Sequence, residues 1–295
     1  MTHGHSDHAR GGHGAVLATA ETLAIMRARK VAPKSEQVLR YGEALRVGEV
    51  TVTLQPAGHV LGSAQIVMEY AGSRAVVSGD YKRAPDPTCA CFVPVPCDVF
   101  VTEATFAMPV FHLPPAEAEI ARLLASVALF PGRCHVVGCY ALGKAQRLIA
   151  LLRAAGWERP IYLHRALRPL CALYEALGVA LGELRSLPGV GGLAGEIVLA
   201  PPGFAGDDET VLADPVFCWA SGWMQLSRRA RQSGVELPLV ISDHADWPGL
   251  LATIAEVGAP EVWVTHGRED ALIHALGTRG VAARALRLVG REVEA

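Results

Sequence analysis

The residues best suited to chemistry stand at the start of the chain, in His3-Gly4-His5-Ser6-Asp7-His8. Four side chains that bind metals fall within six positions. A helix would turn residues two apart to different faces, so we expect a loop in which these side chains converge. Imidazole nitrogens and carboxylate oxygens are zinc ligands, and a catalytic zinc keeps one position open for water. The pairs His3/His5 and Asp7/His8 therefore predict the start of two adjacent metal sites. A His-rich tag is the alternative, but a tag is usually a plain His run without an aspartate.

Further His, Asp and Glu residues follow the ends of predicted strands. Taken singly, each is more often a structural or turn residue, but together with the first loop they predict one site at the strand ends. The predicted strands and the residues after them are Val50–Leu54 with His59, Arg74–Val77 with Asp80, Val99–Thr102 with Glu103, Leu239–Ser242 with His244, and Glu261–Thr265 with His266.

Composition limits the class of protein. The chain has 295 residues, of which 51% are hydrophobic, enough to bury the core of one large domain or two modest ones. The net charge of -2 excludes a global basic field, so any nucleic-acid binding must use a local groove. The seven cysteines form no CxxC pair and no signal peptide is recognisable, so we expect reduced thiols and a cytoplasmic protein. No apolar run reaches about 18 residues, so we expect no membrane span.

The hydrophobic pattern changes twice along the chain. Residues 1–107 read as β-rich and antiparallel, whereas strands alternate with helices across residues 108–232, which is typical of a parallel sheet. The first pattern resumes at residue 233. The sequence therefore predicts an α/β protein in which residues 1–107 and 233–295 form one domain and residues 108–232 form an inserted domain.

Several motifs carry a resemblance to a known family. The His3–His8 pattern resembles the HxHxDH signature of the metallo-β-lactamase superfamily, and other motifs resemble its β-CASP branch, whose members cut nucleic acids. Within that branch, the segment from Tyr81 to Phe106 is most similar to bacterial ligase-associated DNA exonucleases. The remaining matching motifs are Gly58-His59 with Gly62-Ser63, Ser78-Gly79-Asp80, Thr102–Phe106, Tyr140–Arg147, Ser242–Asp246 and Thr265-His266-Gly267.

The resemblance implies an αββα metallo-β-lactamase sandwich with an inserted β-CASP α/β domain. It also implies strands upstream of the first loop, with an acidic residue that orients a metal-bound histidine. Only Met1 and Thr2 precede that loop here, so we expect these N-terminal strands to be missing. Three explanations stay open: a misplaced start, a fragment, or a sheet that has lost an edge.

The resemblance implies two bound metal ions, zinc with manganese as the alternative. Two metals about 3.5–4 Å apart can activate a water and offset charge on both axial oxygens of a phosphodiester. We assign His3, His5 and His59 to the first metal. We assign Asp7, His8 and His266 to the second metal, with Asp80 bridging the two. His244 is the predicted general acid with Glu103 beside it, so His244, Glu103, Asp80 and Asp7 form the predicted catalytic group.

Basic side chains near these motifs are candidates for contacts with a nucleic-acid backbone. We select Lys82, Arg83, Lys144 and Arg147. For any one of them, a solvated surface role is the ordinary alternative.

The predicted function is two-metal hydrolysis of nucleic-acid phosphodiester bonds by a DNA exonuclease acting on single strands. The resemblance implies an ATP-dependent DNA ligase and a helicase as repair partners. One alternative is a ribonuclease in RNA processing, because metal and phosphate contacts are the same for both polymers. The others are a small-molecule metallohydrolase and a non-catalytic nucleic-acid-binding scaffold. The predicted inserted domain and the motif at His244 argue against the small-molecule enzyme.

Overall fold

The computed structural model describes residues 1–31, 33–188, 193–204, 212–232 and 234–288. The chain divides into two compact units, one formed by Met1–His112 with His244–Ala295 and the other by Leu113–Asp243. The sequence predicted the insertion at residues 108–232. In the structure, residues 108–112 belong to the first unit and residues 233–243 belong to the second. The reason at the second boundary is a strand at Leu237–Leu239, which pairs with Val216–Ala220 of the second unit.

Helices and strands alternate along much of the chain, which confirms the predicted α/β class. In chain order the elements are β1 (Ala15–Ala18), α1 (Ala20–Ala28), β2 (Ser35–Val38), β3 (Ala44–Val47), β4 (Val50–Pro56), β5 (Ala64–Tyr70), β6 (Ser73–Val77), β7 (Val99–Ala104), α2 (Ala116–Leu129), β8 (His135–Gly138), α3 (Lys144–Ala154), β9 (Ile161–Leu163), α4 (Arg168–Ala176), β10 (Leu184–Ser186), β11 (Ile197–Ala200), β12 (Val216–Ala220), α5 (Ser227–Gln232), β13 (Leu237–Leu239), α6 (Trp247–Val257), β14 (Glu261–Gly267), α7 (Glu269–Gly277) and β15 (Ala282–Ala285).

The first unit contains a seven-stranded sheet in the order β15-β14-β7-β6-β5-β4-β3. Neighbours from β3 to β6 are antiparallel, whereas β6, β7, β14 and β15 are parallel. Parallel strands present their carboxyl ends at the same edge of a sheet. The residues that follow β6, β7 and β14 are therefore brought together there. A separate parallel pair, β1 and β2, lies in the same unit.

The core of the first unit forms where α6 and α7 pack on this sheet. Leu250 and Ile254 of α6 join Phe100 and Val262 from the strands in one buried cluster. Helix α6 begins after Asp246, whose carboxylate accepts a hydrogen bond from the Gly249 amide. These contacts pack β7 and β14 against helix α6.

The second unit has a six-stranded sheet in the order β10-β9-β11-β8-β12-β13, and every neighbouring pair is parallel. This confirms the alternation of strands and helices predicted for this part of the chain. Val137, Leu199 and Ile161 are fully buried, as expected for strands covered on both faces.

Three short strands were missed by the sequence pattern, and the strand predicted at Leu239–Ser242 lies instead at Leu237–Leu239. All four residues of β2 are exposed and three are polar, so this strand carries no period-two hydrophobic signal. Strand β3 is mostly exposed at the edge of its sheet, and β10 is only three residues long. The predicted cap of α1 is confirmed, because the Thr19 hydroxyl accepts a hydrogen bond from the Thr22 amide. Within the described ranges, no helix combines the length and apolarity needed to cross a bilayer.

Candidate metal centre

The loop of residues 3–8 is held by the backbone as a tight turn. The amides of His8 and Ala9 donate to the carbonyl of His5 at 3.2 and 2.7 Å. Arg29, at the end of α1, donates from Nη1 to the Gly4 carbonyl at 2.5 Å. The turn therefore presents its histidines as a group, as the spacing predicts.

The turn after β4 is shaped by glycine and serine around His59. The Ser63 hydroxyl accepts hydrogen bonds from the amides of His59 and Val60 at 3.0 and 3.2 Å. Gly58 has φ of 72°, and a Cβ at that position would lie 2.5 Å from the Lys82 carbonyl oxygen. Only glycine fits this approach without displacing the backbone.

His266 reaches the site through a β-bulge. In the pairing of β14 with β7, Thr265 lies opposite Glu103 and Gly267 lies opposite Ala104, so His266 is the extra residue. Its φ of 57° is unusual for a residue with a side chain. A bulge bends a strand and redirects a side chain at its end, and strain of this kind is typical of functional sites.

Asp80 lies at the centre of the site. Its carboxylate oxygens are 3.6 Å from His3 Nε2, 3.3 Å from His8 Nε2 and 3.8 Å from His59 Nε2. A fourth imidazole, that of His266, lies 3.7 Å away. One carboxylate therefore faces four imidazoles that come from three separate parts of the chain.

Two groups of residues in this site could each hold a metal ion. In each group, one ligand atom per residue can be chosen so that all of these atoms lie within 4.8 Å of one another. The first group is His3, His5, His59 and Asp80, and the second is Asp7, His8 and His266. All seven predicted ligand side chains are thus brought into one site, and their roles as ligands stay predictions.

The donor atoms suit bound metals. In the described part of the chain, His3 Nε2, His8 Nε2 and Asp80 Oδ1 are buried without a hydrogen-bond partner. Buried polar atoms are rarely left unsatisfied, so an ion is the natural partner here. These atoms are of the types that zinc and manganese accept.

The charge states of His3 and Asp80 also suit a bound cation. Burial lowers the pKa of His3 well below its ordinary value, and His59 and His5 lower it further, so His3 is neutral at neutral pH. Burial would raise the pKa of Asp80, but the neighbouring imidazoles, led by His8, hold it well below its ordinary value. A neutral imidazole and an ionised carboxylate are the forms that coordinate a metal.

His244 and Glu103 form a pair beside this cluster. His244 Nδ1 lies 2.8 Å from Glu103 Oε2. Glu103 is fixed in turn, because it accepts hydrogen bonds from the Tyr81 amide at 2.7 Å and the Thr105 hydroxyl at 2.5 Å. The ring of His244 lies 4.7 Å from the ring of His59, measured between centroids. With Asp80, the pair forms a third group able to hold a metal, so this geometry permits a ligand role as well as an acid role.

Three of the four predicted backbone-contacting cations are buried and paired with carboxylates. Lys82 is 2% exposed and pairs with Asp86 at 2.5 Å. Lys144 and Arg147 are each 3% exposed, and both pair with Asp243, at 3.0 and 3.1 Å. Desolvation and pairing make these charges less available to a phosphate backbone, and their contact with a nucleic acid stays a prediction.

Arg83 is the fourth of these cations and is partly exposed. Both of its terminal nitrogens donate to the Glu256 carboxylate at 2.7 Å. Its charge is therefore already paired, and a contact with a nucleic acid stays a prediction.

Lys82→Met is expected to lower the free energy of unfolding by about 3–5 kcal/mol, because it removes the positive charge that neutralises the buried Asp86 carboxylate. Denaturant unfolding monitored by circular dichroism measures this change. The matched control is Arg185→Met, which breaks the exposed pair with Glu183 and should leave the free energy of unfolding nearly unchanged. A variant with unchanged stability but weaker nucleic-acid binding would restore Lys82 as a phosphate contact.

Several supporting residues were not found by sequence reasoning. Arg29 and Thr2 contact the site or its loops through hydrogen bonds. Asp86 acts through Lys82, which donates both to Asp86 and to the His59 carbonyl. Ser63 stood in a recognised motif, but its role as an acceptor for the His59 turn had no sequence signal. Thr2 could have been suspected from its position directly before the first ligand.

The chain is similar in sequence to a protein named as a DNA ligase and to one named as an endoribonuclease. The chain is 30% identical over 303 residues to a protein named Probable DNA ligase from Opitutus terrae, which covers 97% of this chain and 28% of that protein. It is 33% identical over 148 residues to Endoribonuclease ysh-1 from Neurospora crassa, covering 46% of this chain and 17% of that protein. The chain thus spans less than a third of the length of either relative. No family model matches the sequence.

A solved structure shares the fold. The crystal structure of a protein of unknown function from Enterococcus faecalis aligns over 97% of this chain and 78% of its own, with a TM-score of 0.60. The two sequences are 13% identical, so this likeness concerns the fold alone.

Proposed function

We propose that this chain, which belongs to the β-CASP branch of the metallo-β-lactamase superfamily, hydrolyses phosphodiester bonds of nucleic acids with two bound metal ions. One observation carries the proposal. The Asp80 carboxylate lies among four imidazoles, and the His244–Glu103 pair stands beside them. A site that can hold cations and also carries a candidate proton donor suits a reaction at an anionic phosphate.

The chemistry of a phosphodiester explains why such a site is needed. The substrate is negatively charged and its leaving alkoxide is a poor leaving group. When bound, the metals offset charge on the phosphate and make water acidic enough to attack at neutral pH. His3, His5 and His59 would hold one ion, Asp7, His8 and His266 the other, and Asp80 would contact both.

His244 is the proposed general acid. Because Glu103 accepts from Nδ1, it fixes the orientation of the ring and stabilises the imidazolium form. The Nε2 proton is then the one that passes to the leaving oxygen. Glu103 is itself held by the Tyr81 amide and the Thr105 hydroxyl, so it acts as a fixed support.

We further propose that the substrate is single-stranded DNA and that a DNA ligase is the partner in repair. The relative named Probable DNA ligase supports this, because its similarity extends over 97% of the chain. RNA is the second candidate, supported by the similarity to an endoribonuclease over 46% of the chain. We also propose that the first unit is an αββα metallo-β-lactamase sandwich and that residues 113–243 form the β-CASP insertion.

The test is metal analysis combined with cleavage of single-stranded DNA and RNA of identical sequence. The purified chain is stripped with a chelator and reloaded with zinc or manganese, and cleavage is followed on end-labelled strands. About two ions per chain with cleavage of DNA is the expected result. Cleavage of RNA alone would contradict the proposed DNA substrate and indicate a role in RNA processing. Two bound ions with neither polymer cut would contradict a nuclease and favour a scaffold or a small-molecule enzyme.

His244→Ala is expected to slow cleavage by about 10²–10⁴-fold while both metals stay bound, because it removes a proton donor and no assigned ligand. Single-turnover rates and metal content measure the two effects. His274→Ala, which removes an exposed imidazole on α7, is the matched control and should leave both unchanged. Loss of a metal from His244→Ala would instead make His244 a ligand.

A further inference from the structure

The hydroxyl of Thr2 contacts two of the proposed ligands at once. Thr2 Oγ1 lies 3.2 Å from His3 Nδ1 and 3.5 Å from His8 Nδ1. The two rings are neighbours, with centroids 4.1 Å apart. His3 is assigned to the first metal and His8 to the second, so a single side chain touches both halves of the site.

The contacts allow the Thr2 hydroxyl to select which nitrogen of each ring carries the proton. A neutral imidazole has one N–H donor and one acceptor nitrogen, and a hydrogen bond to one nitrogen fixes the role of the other. A hydroxyl oxygen has two lone pairs and can accept from both Nδ1–H groups. The Nε2 atoms of His3 and His8 are then left with free lone pairs. Both of these atoms are buried without a hydrogen-bond partner among the residues that the structure describes.

We infer that Thr2 is a positioning residue that holds His3 and His8 in the Nδ1–H form and presents both Nε2 atoms to the metals. The inference rests on the proposed two-metal function. Loss of a group that hydrogen-bonds the non-coordinating nitrogen of a ligating histidine typically weakens metal affinity by about 10–100-fold. Because Thr2 serves one histidine of each site, its loss should weaken both ions together.

The backbone and its neighbours keep Thr2 in place. Its carbonyl accepts a hydrogen bond from the Ala64 amide, at the start of β5, at 2.8 Å. On the other side lies Gly79, directly before Asp80. A Cβ on Gly79 would come within 2.7 Å of the Thr2 Cβ, so glycine leaves the space that Thr2 fills. The hydroxyl is thus fixed relative to Asp80 as well as to the two rings.

Thr2→Val and Thr2→Ser separate the hydroxyl from the shape of the side chain. Valine keeps the volume and removes the acceptor, whereas serine keeps the acceptor and loses a methyl group. Zinc affinity is measured by competition with a chromogenic chelator. Thr2→Val should weaken both ions by about 10–100-fold, and Thr2→Ser should stay within a few-fold of the unsubstituted chain. The matched control is Thr278→Val, which removes an exposed hydroxyl bonded to Ala275 and should change neither affinity.

A second measurement reads the tautomers without metal or activity. Nitrogen-15 NMR of the metal-free chain distinguishes Nδ1–H from Nε2–H imidazoles, with His3 and His8 assigned from His→Gln variants. At a pH high enough for both rings to be neutral, we expect both as Nδ1–H in the unsubstituted chain and in Thr2→Ser, and mixed forms in Thr2→Val.

The results that would overturn the inference are specific. Unchanged affinities and tautomers in Thr2→Val would do so, as would Nε2–H forms in the unsubstituted chain, which remain measurable if Thr2→Val does not fold. Failure of the proposed function looks different. In that case both metals bind and respond to Thr2 substitution, yet neither DNA nor RNA is cut.

Discussion

Asp80→Asn is expected to remove at least one of the two metals and to reduce cleavage by more than about 10³-fold. Four imidazoles lie within 3.8 Å of the Asp80 carboxylate, and Asn would keep the shape of the side chain while removing its negative charge. Substituting a residue that only supports a ligand typically lowers metal affinity or activity by about 10–100-fold. Substituting the residue shared by both ions should therefore have a larger effect. Metal content after gel filtration and single-turnover cleavage measure the two losses.

The same chemical change elsewhere provides the control. Asp98 is an exposed residue directly before β7, at the opposite end of that strand from Glu103, and its carboxylate accepts from the Arg74 amide. Asp98→Asn should keep both metals and the full rate. If Asp80→Asn also kept two ions and its rate, Asp80 would be no bridge and the assignment of the two sites would have to be redrawn.

The sequence contains most of what is needed to assemble this site. The His3–His8 spacing and the strand-end positions of Asp80, Glu103 and His266 predict convergence, because parallel strands end at one edge of a sheet. The structure brings these side chains together. The prediction works since both signals are local, consisting of a short apolar strand followed by a residue able to bind a metal or a proton.

What the sequence did not reveal depends on partners distant along the chain. Nothing local to Lys144 or Arg147 indicates that Asp243, almost a hundred residues later, neutralises both. A lysine next to an arginine after Asp80 looks like a phosphate contact until the burial of Lys82 is known. Burial and pairing are tertiary properties, so charge alone predicts a binding role poorly.

The position of His266 also depends on a contact between residues distant along the chain. An apolar strand followed by Thr-His-Gly locates the residue but does not reveal the extra residue in the pairing with β7. The register shift depends on Gly267 fitting against Ala104, which is a contact between strands about 160 residues apart in sequence. A one-residue change in register would turn His266 away from Asp80.

Gly267→Ala is therefore expected to lower the free energy of unfolding by more than about 3 kcal/mol and to weaken the metal held by Asp7, His8 and His266. Gly267 has φ of 145°, and a Cβ there would lie 2.1 Å from the Ala104 carbonyl oxygen, which belongs to rigid backbone of β7. Relief requires β14 to separate from β7, and that separation moves His266. Denaturant unfolding and zinc titration measure the two effects.

Gly42→Ala distinguishes this collision from simple backbone strain. Gly42 has φ of 76°, and a Cβ there would meet no atom of the described residues within 4 Å, so alanine should cost only about 1 kcal/mol and leave zinc binding intact. The difference between the two variants measures the close contact itself. Equal stabilities, with both metals bound in each, would mean that β7 and β14 adjust to a side chain and that the bulge does not depend on glycine. If Gly267→Ala lost stability without a change in zinc binding, the orientation of His266 would not depend on the bulge. The strands would then move while the imidazole kept its position.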